Sequence, residues 1–364
     1  MKTAHGVISA LIILLASCKG STAPAWVVSN LAGSDTFGHV DGAAATAQFN
    51  SPAGVAVDSS GNVYVADYGN DRIRKITQTG GAWTVGTLAG SGAEGYQDGA
   101  AASAQFDSPV GVAVDKSGNV YVADSDNHRI RKITKEDDGT WTVDTLAGDG
   151  TKGDQDDTPT TTARFEEPEG VALDSSGNVY VADGGNHRIR KITKEKDRTW
   201  TVSTIAGSRT LGHLDGAAAT AQFRNPTAVA LDSSGNVYVA DENNHRIRKI
   251  TEEDDGTWTV STIAGSGAGG HQNGAGAAAR FNLPAGVALD SSGNVYVAEF
   301  DNNRIRKITE DTGIWTVSDF AGSGTQGHQD GPPHRRSLTG PSAWPWTHRA
   351  MSMWQIFSTI AFGR

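Results

Sequence analysis

Two sets of polar side chains recur once per segment in this sequence and could line a binding surface or coordinate a metal. The first set stands just before the motif Arg-Ile-Arg-Lys-Ile-Thr, and the second set lies upstream in a glycine-rich stretch. Imidazole nitrogens are common zinc ligands, but a symmetric repeat would spread them around the body rather than bring three together. The sets are Asn70, Asp71, Asn127, His128, Asn186, His187, Asn244, His245, Asn302 and Asn303, and then His39, Tyr96, His213 and His271.

We treat both sets as candidate residues of a binding face. A purely structural role in turns is the alternative, and one occurrence in each copied unit favours it. In the glycine-rich stretch, Asp41 precedes Gly-Ala-Ala-Ala and is expected to cap a short helical turn, while Phe49 is expected to anchor the stretch by burial.

One acidic stretch breaks the repeat pattern. The segment "GDGTKGDQDDTPTTTARFEEPEG" contains Asp154, Asp156 and Asp157, and it continues to Glu169. Close carboxylates could hold Ca²⁺, but their spacing matches no EF-hand loop. A solvated acidic loop is therefore the preferred interpretation. The sequence predicts no cofactor, with Ca²⁺ and Zn²⁺ left as alternatives.

The residue patterns favour a binding protein over an enzyme. No Gly-x-Ser-x-Gly, His-Glu-x-x-His or phosphate-loop motif is present. Catalysis needs groups with different roles, and nearly identical segments offer little asymmetry. The three basic residues of each Arg-Ile-Arg-Lys-Ile-Thr strand are interpreted as a solvated face balanced by acidic turns. The net charge of −10 gives no support for a nucleic-acid partner.

The candidate residues belong to a unit of nearly constant length. Its first copy divides into four predicted strands, at 54–58, 62–66, 72–76 and 83–88, and the second follows the first across a Gly-Asn turn. Four short strands per period without long helices indicate a blade of a β-propeller; a solenoid would need atypical terminal repeats. The central tyrosines of the five copies are Tyr64, Tyr121, Tyr180, Tyr238 and Tyr296, at spacings of 57, 59, 58 and 58 residues.

The outermost strand occurs six times, although only five complete inner triplets are present. The strand "WVVSNLAG" at 26–33 matches "WTVGTLAG" at 83–90, and it precedes the first triplet. We expect residues 26–33 to complete the last blade, because such closure removes exposed strand edges. The fold class expected is therefore all-β, a propeller of six blades by design, with five complete blades as written.

These units resemble NHL repeats, which are named for an asparagine-histidine-leucine signature. The corresponding motif here reads Asn127-His128-Arg129-Ile130, and the resemblance covers nearly all of residues 26–331. It implies a six-bladed propeller, in agreement with the strand count. Wider relatives include propeller lyases and hydrolases that use metals at the axis. The resemblance thus leaves a metal-dependent enzyme, with its site at the ring axis, as the alternative to a binding or scaffolding module.

The N-terminus has the pattern of an export signal. Residues 1–17 contain Lys2 and an apolar run, and Leu15-Ala16-Ser17-Cys18 resembles the lipobox of bacterial lipoproteins. That resemblance implies cleavage before Cys18, a lipid on its sulfur, and sorting to the outer membrane because lysine follows the cysteine. Residues 18–25 are then a tether. An ordinary cleaved signal with an unrelated cysteine is the alternative.

These observations predict an exported, lipid-anchored module at the cell envelope whose partner is a protein, peptide or glycan. Its membrane contact is the lipid on Cys18. The repeat does not identify the ligand, because the copies are too similar for one set of residues to stand out.

The last segment, residues 332–364, departs from the repeat in a way that a frameshift explains. Tryptophan and methionine have single codons, so a one-base shift fixes several residues: Trp344-Pro345 must give Ala, and Met353-Trp354 must give Val. With permitted codons elsewhere, the shifted segment becomes "QFDRPVGVAVDTSGNVYVADFFNHRIRK". We interpret residues 332–364 as an out-of-frame remnant of the sixth blade; a divergent tail is the alternative.

Sequencing the gene across the codons for residues 331–337 tests this interpretation. We expect an inserted or deleted base there relative to an independently isolated copy of the gene, whose frame continues into the sixth blade. An independent copy that encodes the same "SAWPWTHRAMSMW" tail would contradict the frameshift.

Overall fold

The computed structural model describes residues 11–16, 26–157, 160–195 and 199–327, and it contains five complete four-stranded blades. In each blade the strands are antiparallel and follow chain order, from a first strand at the ring axis to a fourth strand at the periphery. The chain is thus an all-β propeller of five complete blades, as predicted. The predicted sixth blade, with residues 332–364 as its out-of-frame remnant, lies outside the described residues.

The strand bounds repeat closely from blade to blade. First strands are Pro52–Val57, Pro109–Val114, Pro168–Leu173, Pro226–Leu231 and Pro284–Leu289; second strands are Val63–Asp67, Val120–Asp124, Val179–Asp183, Val237–Asp241 and Val295–Glu299. Third strands are Arg72–Thr79, Arg129–Lys135, Arg188–Lys194, Arg246–Glu252 and Arg304–Asp311; fourth strands are Ala82–Ala89, Trp141–Ala147, Trp200–Ala206, Trp258–Ala264 and Ile314–Ala321.

Short elements lie in the loops that lead from each fourth strand to the next first strand, which we call connecting loops. Each loop can contain a two-residue strand, which pairs with the fourth strand of the blade that the loop leads into. These strands are Gly42–Ala43, Gly99–Ala100, Gly216–Ala217 and Gly274–Ala275. In the part of the chain that the structure describes, the helical content is limited to 3₁₀ segments at Tyr68–Asn70, Thr160–Thr162, Gly184–Asn186, Glu242–Asn244 and Gly276–Ala278. Within the described ranges, no helix is long and apolar enough to cross a bilayer.

The core lies between neighbouring blades. Tyr64 and Ala66 of the first blade, for example, pack in one cluster with Val120 and Val122 of the second. Second strands are therefore buried on both faces, which explains their continuous apolar run of Val-Tyr-Val-Ala. Face-to-face packing of the blades is what holds a propeller together without disulfides.

Glycine permits the first strands to meet at the axis. A Cβ added to Gly54 would lie 2.3 Å from the carbonyl oxygen of Val110, and one added to Gly111 would lie 2.3 Å from that of Glu169. Any side chain at these positions would push neighbouring blades apart. Glycine is therefore required where these first strands meet.

A buried arginine occupies the centre of every third strand. Arg248 is fully buried, and its Nη1 donates to the Asp241 carboxylate at 2.7 Å and to the carbonyl oxygen of Gln222 at 2.9 Å. Its Nη2 donates to Asp215 at 2.6 Å, and its guanidinium lies 5.0 Å from the centre of the Phe223 ring. The equivalents are Arg74, Arg131, Arg190 and Arg306.

This arginine corrects two predictions from the sequence. The basic strand was expected to be a solvated face, but its central arginine is inside the blade because the connecting loop folds back over it. Asp41 was expected to cap a helical turn; instead its carboxylate binds Arg74 at 2.5 Å and accepts the backbone N–H of Thr87 at 2.9 Å. The predicted burial of Phe49 is confirmed, since its ring lies under Arg74.

The N-terminal strands form a separate two-stranded sheet, β1 (Leu11–Ala16) with β2 (Trp26–Ala32). β2 lies beside the fourth strand of the first blade. The N–H of Gly33 donates to Ala44 at 2.9 Å, just as that of Gly90 donates to Ala101 at 2.9 Å. β2 therefore lies beside the first blade in the way that the fourth strand of one blade lies beside the next blade.

β1 pairs with β2 in the register that a third strand uses. Leu11 lies opposite Ala32 and a register shift follows it; in the first blade Ile73 lies opposite Ala89 and the same shift follows it. β1 thus pairs with β2 as a third strand pairs with a fourth strand.

Replacing a buried arginine should destabilise the protein strongly. In Arg248→Met the carboxylates of Asp241 and Asp215 lose their partner, so we expect the free energy of unfolding to fall by about 3–5 kcal/mol, measured by urea denaturation. Arg224→Met is the matched control, because Arg224 is exposed on the connecting loop of the same blade; its effect should stay within about 0.5 kcal/mol. Equal urea midpoints for the two variants would contradict a structural role for Arg248.

Candidate functional site

The connecting loops and the turns between second and third strands lie on the same face of the ring, which we call the loop face. Asn70 joins the two: its Nδ2 donates to the carbonyl oxygen of Gly38 in the connecting loop at 2.7 Å and to the Asp67 carboxylate at 2.8 Å. The structure thus places the first predicted set on this face, with the asparagine amides turned inward. The equivalent bonds are made by Asn127, Asn186, Asn244 and Asn302.

The histidines of the first set connect one blade to the next. Nδ1 of His128 accepts the backbone N–H of Glu167 at 3.2 Å, and that of His245 accepts the N–H of Leu283 at 3.1 Å. Both residues, like His187, have φ between 53° and 57°, a conformation in which histidine, asparagine and aspartate are enriched. Burial lowers the pKa of all three imidazoles, which keeps Nδ1 free to accept.

The two substituted positions show the same backbone geometry. In the first blade Asp71 Oδ1 accepts the N–H of Ser108 at 2.9 Å, so aspartate replaces histidine as the acceptor. Asn303 in the fifth blade has φ 49°. The first set is thus committed to internal bonds that hold the turns and the neighbouring blades.

The second set differs in exposure and contact. His39 and His213 are exposed, whereas Nε2 of His271 lies 2.8 Å from the Asp319 carboxylate. The hydroxyl of Tyr96 lies 3.0 Å from Asp98, and its ring is stacked by Arg129 at 3.7 Å. These residues lie on separate connecting loops and are not brought together.

The acidic stretch is neutralised by arginines. Asp154 lies 3.0 Å from Arg188 and 3.1 Å from Arg209, and Asp156 binds the buried Arg190 at 2.5 Å. Asp157 accepts from Gln155 and Thr162 at 2.8 Å. Across the described parts of the chain, no three His, Cys, Asp or Glu side chains are grouped as metal ligands would be.

The outermost residues of the connecting loops vary between blades and include apolar side chains. Phe37 in the first blade and Leu211 in the fourth are 51% and 57% exposed at equivalent positions, which Glu94 and Lys152 occupy in other blades. Within the described ranges, every exposed large apolar side chain except Ile314 is on a connecting loop: Phe37, Val40, Tyr96, Leu211 and Leu214.

At the axis, the loop face opens onto a group of residues that we call the axial mouth. One side of it is apolar: Ala53, Val110 and Ala285 form a cluster against which Tyr68 and Phe300 pack. The opposite side is polar, because Glu169 and Thr227 replace the small apolar residue at the start of the third and fourth first strands, and Glu242 replaces an aromatic residue in the turn of the fourth blade.

The two glutamates of the axial mouth are buried. Glu169 and Glu242 are each 6% exposed, and Glu242 accepts a hydrogen bond from Asn225 Nδ2 at 2.6 Å. Burial and the charge of Glu242 raise the pKa of Glu169 well above its usual range, while burial raises that of Glu242 to about 7. Glu169 belongs to the acidic stretch in the sequence, but in the structure it lies apart from Asp154, Asp156 and Asp157. The signal that identifies it is the departure from alanine or valine at one repeat position.

Comparison with known proteins identifies the repeat. The family model described as NHL repeat matches residues 49–76, 106–133, 165–192, 223–250 and 281–308. Similar curated proteins include SUPPRESSOR OF QUENCHING 1 of Arabidopsis thaliana, 31% identical over 83% of this chain and 29% of that protein, and NHL repeat-containing protein 2 of Bos taurus, 30% identical over 78% of this chain and 42% of that protein. The chain therefore spans less than half the length of these relatives.

Solved structures show the same fold at low identity. A Bacteroides thetaiotaomicron protein of unknown function has a TM-score of 0.63 at 22% identity, and it covers 86% of this chain and 69% of that one. An auxiliary nutrient binding protein of the same organism has a TM-score of 0.62 at 15% identity with the same coverage.

Proposed function

The chain belongs to the NHL-repeat proteins and forms a β-propeller, and on this basis we propose that it is an exported binding or scaffolding module that engages a protein, peptide or glycan through its loop face. The observation that carries the proposal is the position of the exposed apolar side chains. Phe37, Val40, Leu211 and Leu214 project from connecting loops at a single ring face, and exposed apolar groups collected on one surface favour an interaction site.

The division of residues on the loop face supports the same conclusion. Residues that recur in every blade, such as Asn70 and its equivalents, bind the protein itself. Residues that differ between blades, such as Phe37 and Glu94, point to solvent. A scaffold that keeps its inner bonds and varies its outer loop residues can present different contacts on one rigid frame. The fold is shared with two bacterial structures described as auxiliary nutrient binding proteins, which is compatible with a binding role.

We also propose that the protein is anchored to the bacterial cell envelope by a lipid on Cys18. The support is the sequence pattern of residues 1–17 and Cys18, most of which lie outside the described residues. Cleavage before Cys18 would remove β1 and release β2. The released strand would then be available to the third strand of a sixth blade, whose register β1 reproduces.

Site-specific photo-crosslinking tests the loop face directly. With a benzophenone amino acid at Leu211, on the loop face, we expect a crosslinked adduct in cells that produce the protein natively. The matched control is the same amino acid at Ile314, which is 63% exposed at the start of a fourth strand. Adducts of equal yield from both positions, or none from Leu211, would contradict binding through the loop face.

Metabolic labelling with radioactive palmitate tests the anchor. We expect the wild-type chain to be labelled and to sediment with membranes, because acyl chains on one residue suffice for stable attachment. Cys18→Ser should abolish both properties while leaving the propeller folded. Membrane association of the unlabelled Cys18→Ser variant would show that the lipid is not the anchor.

A further inference from the structure

The axial mouth contains a buried acid without a partner. Glu169 is only 6% exposed, and it makes no hydrogen bond or ion pair with any described residue. Every interaction that acts on it, namely burial and the charges of Glu242 and Glu167, opposes its ionisation. Buried polar groups are normally hydrogen-bonded. An uncompensated carboxyl at the open end of the ring therefore points to a ligand that supplies the missing donor.

The Glu169 side chain lies directly against the backbone of Gly184. A Cβ added to Gly184 would lie 3.0 Å from Cγ of Glu169 and 3.2 Å from Oδ1 of Asn225. The equivalent positions in blades one and five carry Tyr68 and Phe300. Because residue 184 has no side chain, both Glu169 and Asn225 can approach the same turn. The Asn225 amide in turn donates to Glu242. The two acids belong to one continuous polar group although they come from different blades.

We propose that the axial mouth binds an organic ammonium ligand with an apolar body, its charged group between Glu169 and Glu242 and its apolar part against Val110, Tyr68 and Phe300. This inference rests on the proposed binding function and names the chemistry of one ligand site. An alkylammonium group donates three hydrogen bonds and carries a positive charge, and both features complement a pair of carboxylates. The apolar sector opposite is formed by Ala53, Val110 and Ala285, with the two aromatic residues packed against it.

The surroundings favour ammonium over a metal ion. Ca²⁺ takes six to eight oxygen ligands, whereas this site offers two carboxyls and the hydroxyl of Thr227, which already donates to the carbonyl oxygen of Pro284 at 3.4 Å. A metal ion has no apolar part to place against Tyr68 and Phe300, which pack on the apolar cluster of the mouth. An alkylammonium group satisfies both sides at once.

Binding should become tighter as the pH rises. Without ligand, burial and the charge of Glu242 raise the pKa of Glu169, and burial raises the pKa of Glu242 to about 7. A cation binds the ionised acids, so affinity is low below about pH 6 and increases through pH 7 to 8, with protons released on binding. The charged groups that face the pair are Glu167 and Asp301, and Asp301 is itself stabilised by His245. Both acidic neighbours increase the preference for a cation.

Isothermal titration calorimetry on the full-length purified chain tests the proposal with n-hexylammonium chloride as the probe. We expect saturable binding at pH 8, with at least tenfold weaker binding at pH 5.5, and no binding of the neutral isostere 1-hexanol or of hexanoate. Acetyl-lysine amide and a leucine-initiated tripeptide, each compared with its form blocked at the amine, distinguish a peptide-borne ammonium from a free amine.

Matched variants locate the site. Glu169→Gln and Glu242→Gln keep side-chain size and should weaken n-hexylammonium binding about tenfold or more, whereas Asp254→Asn, an exposed acid in a turn on the opposite face, should leave it unchanged. Thermal unfolding of each variant verifies that it is folded; both glutamine variants should be at least as stable as wild type at pH 8, because a buried acid is removed.

Several results would overturn the axial site. These are absence of n-hexylammonium binding to the wild-type chain, equal binding of 1-hexanol, or unchanged affinity in folded Glu169→Gln. None of them depends on the loop-face crosslink at Leu211. If that crosslink forms while the ammonium does not bind, the binding function stands and the axial site fails. If the ammonium binds and the crosslink is absent, the loop-face proposal fails alone.

Discussion

Each third strand contains a buried guanidinium, and the rest of the blade depends on the ion pairs that this group makes. In the third blade, Arg190 donates to Asp183 of the second strand at 2.7 Å and to Asp156 of the connecting loop at 2.5 Å, and its guanidinium lies 5.0 Å from the centre of the Phe165 ring. Burying charges is costly unless every group is paired. Burial raises the pKa of Asp183 to about 6 in spite of Arg190. A planar fork with five donors meets this requirement, and a lysine would not.

This constraint explains where the protein can vary and where it cannot. The arginine fixes the strand end, the connecting loop and the neighbouring turn, so the residues that serve it recur in every blade. Glu299 and Asn273 replace aspartates in the fifth blade, yet both still bind Arg306, at 3.0 and 2.5 Å. Variation is left to the outward loop positions, such as Phe37 and Leu211, and to the axial mouth, where Glu169 and Glu242 break the symmetry. Function in a symmetric ring is expected where the repeat is broken.

The sequence predicted the blade pattern well because its signals are local. The Tyr64 spacing, the Gly-Asn turns and the match of residues 26–33 to a fourth strand all carried over to the structure. Burial of Arg74 was not predictable, because three basic residues in one strand look alike until the connecting loop folds over one of them. For the asparagines and histidines, the sequence leaves a binding face and a structural role both open, because their partners are backbone groups that no motif specifies. The pairing of Glu169 with Glu242 requires the ring, which places distant repeats side by side.

Native-state hydrogen exchange of an arginine variant tests the central claim most directly. In Arg248→Met, under conditions where the protein remains folded, we expect faster exchange of the Thr262 N–H, which Asp215 accepts at 3.1 Å, and of the Gly265 and Ser266 amides at the loop junction. The equivalent Thr145 amide in the second blade should be unchanged. Unchanged exchange at Thr262, or equal acceleration at Thr145, would contradict the account in which each arginine secures its own connecting loop.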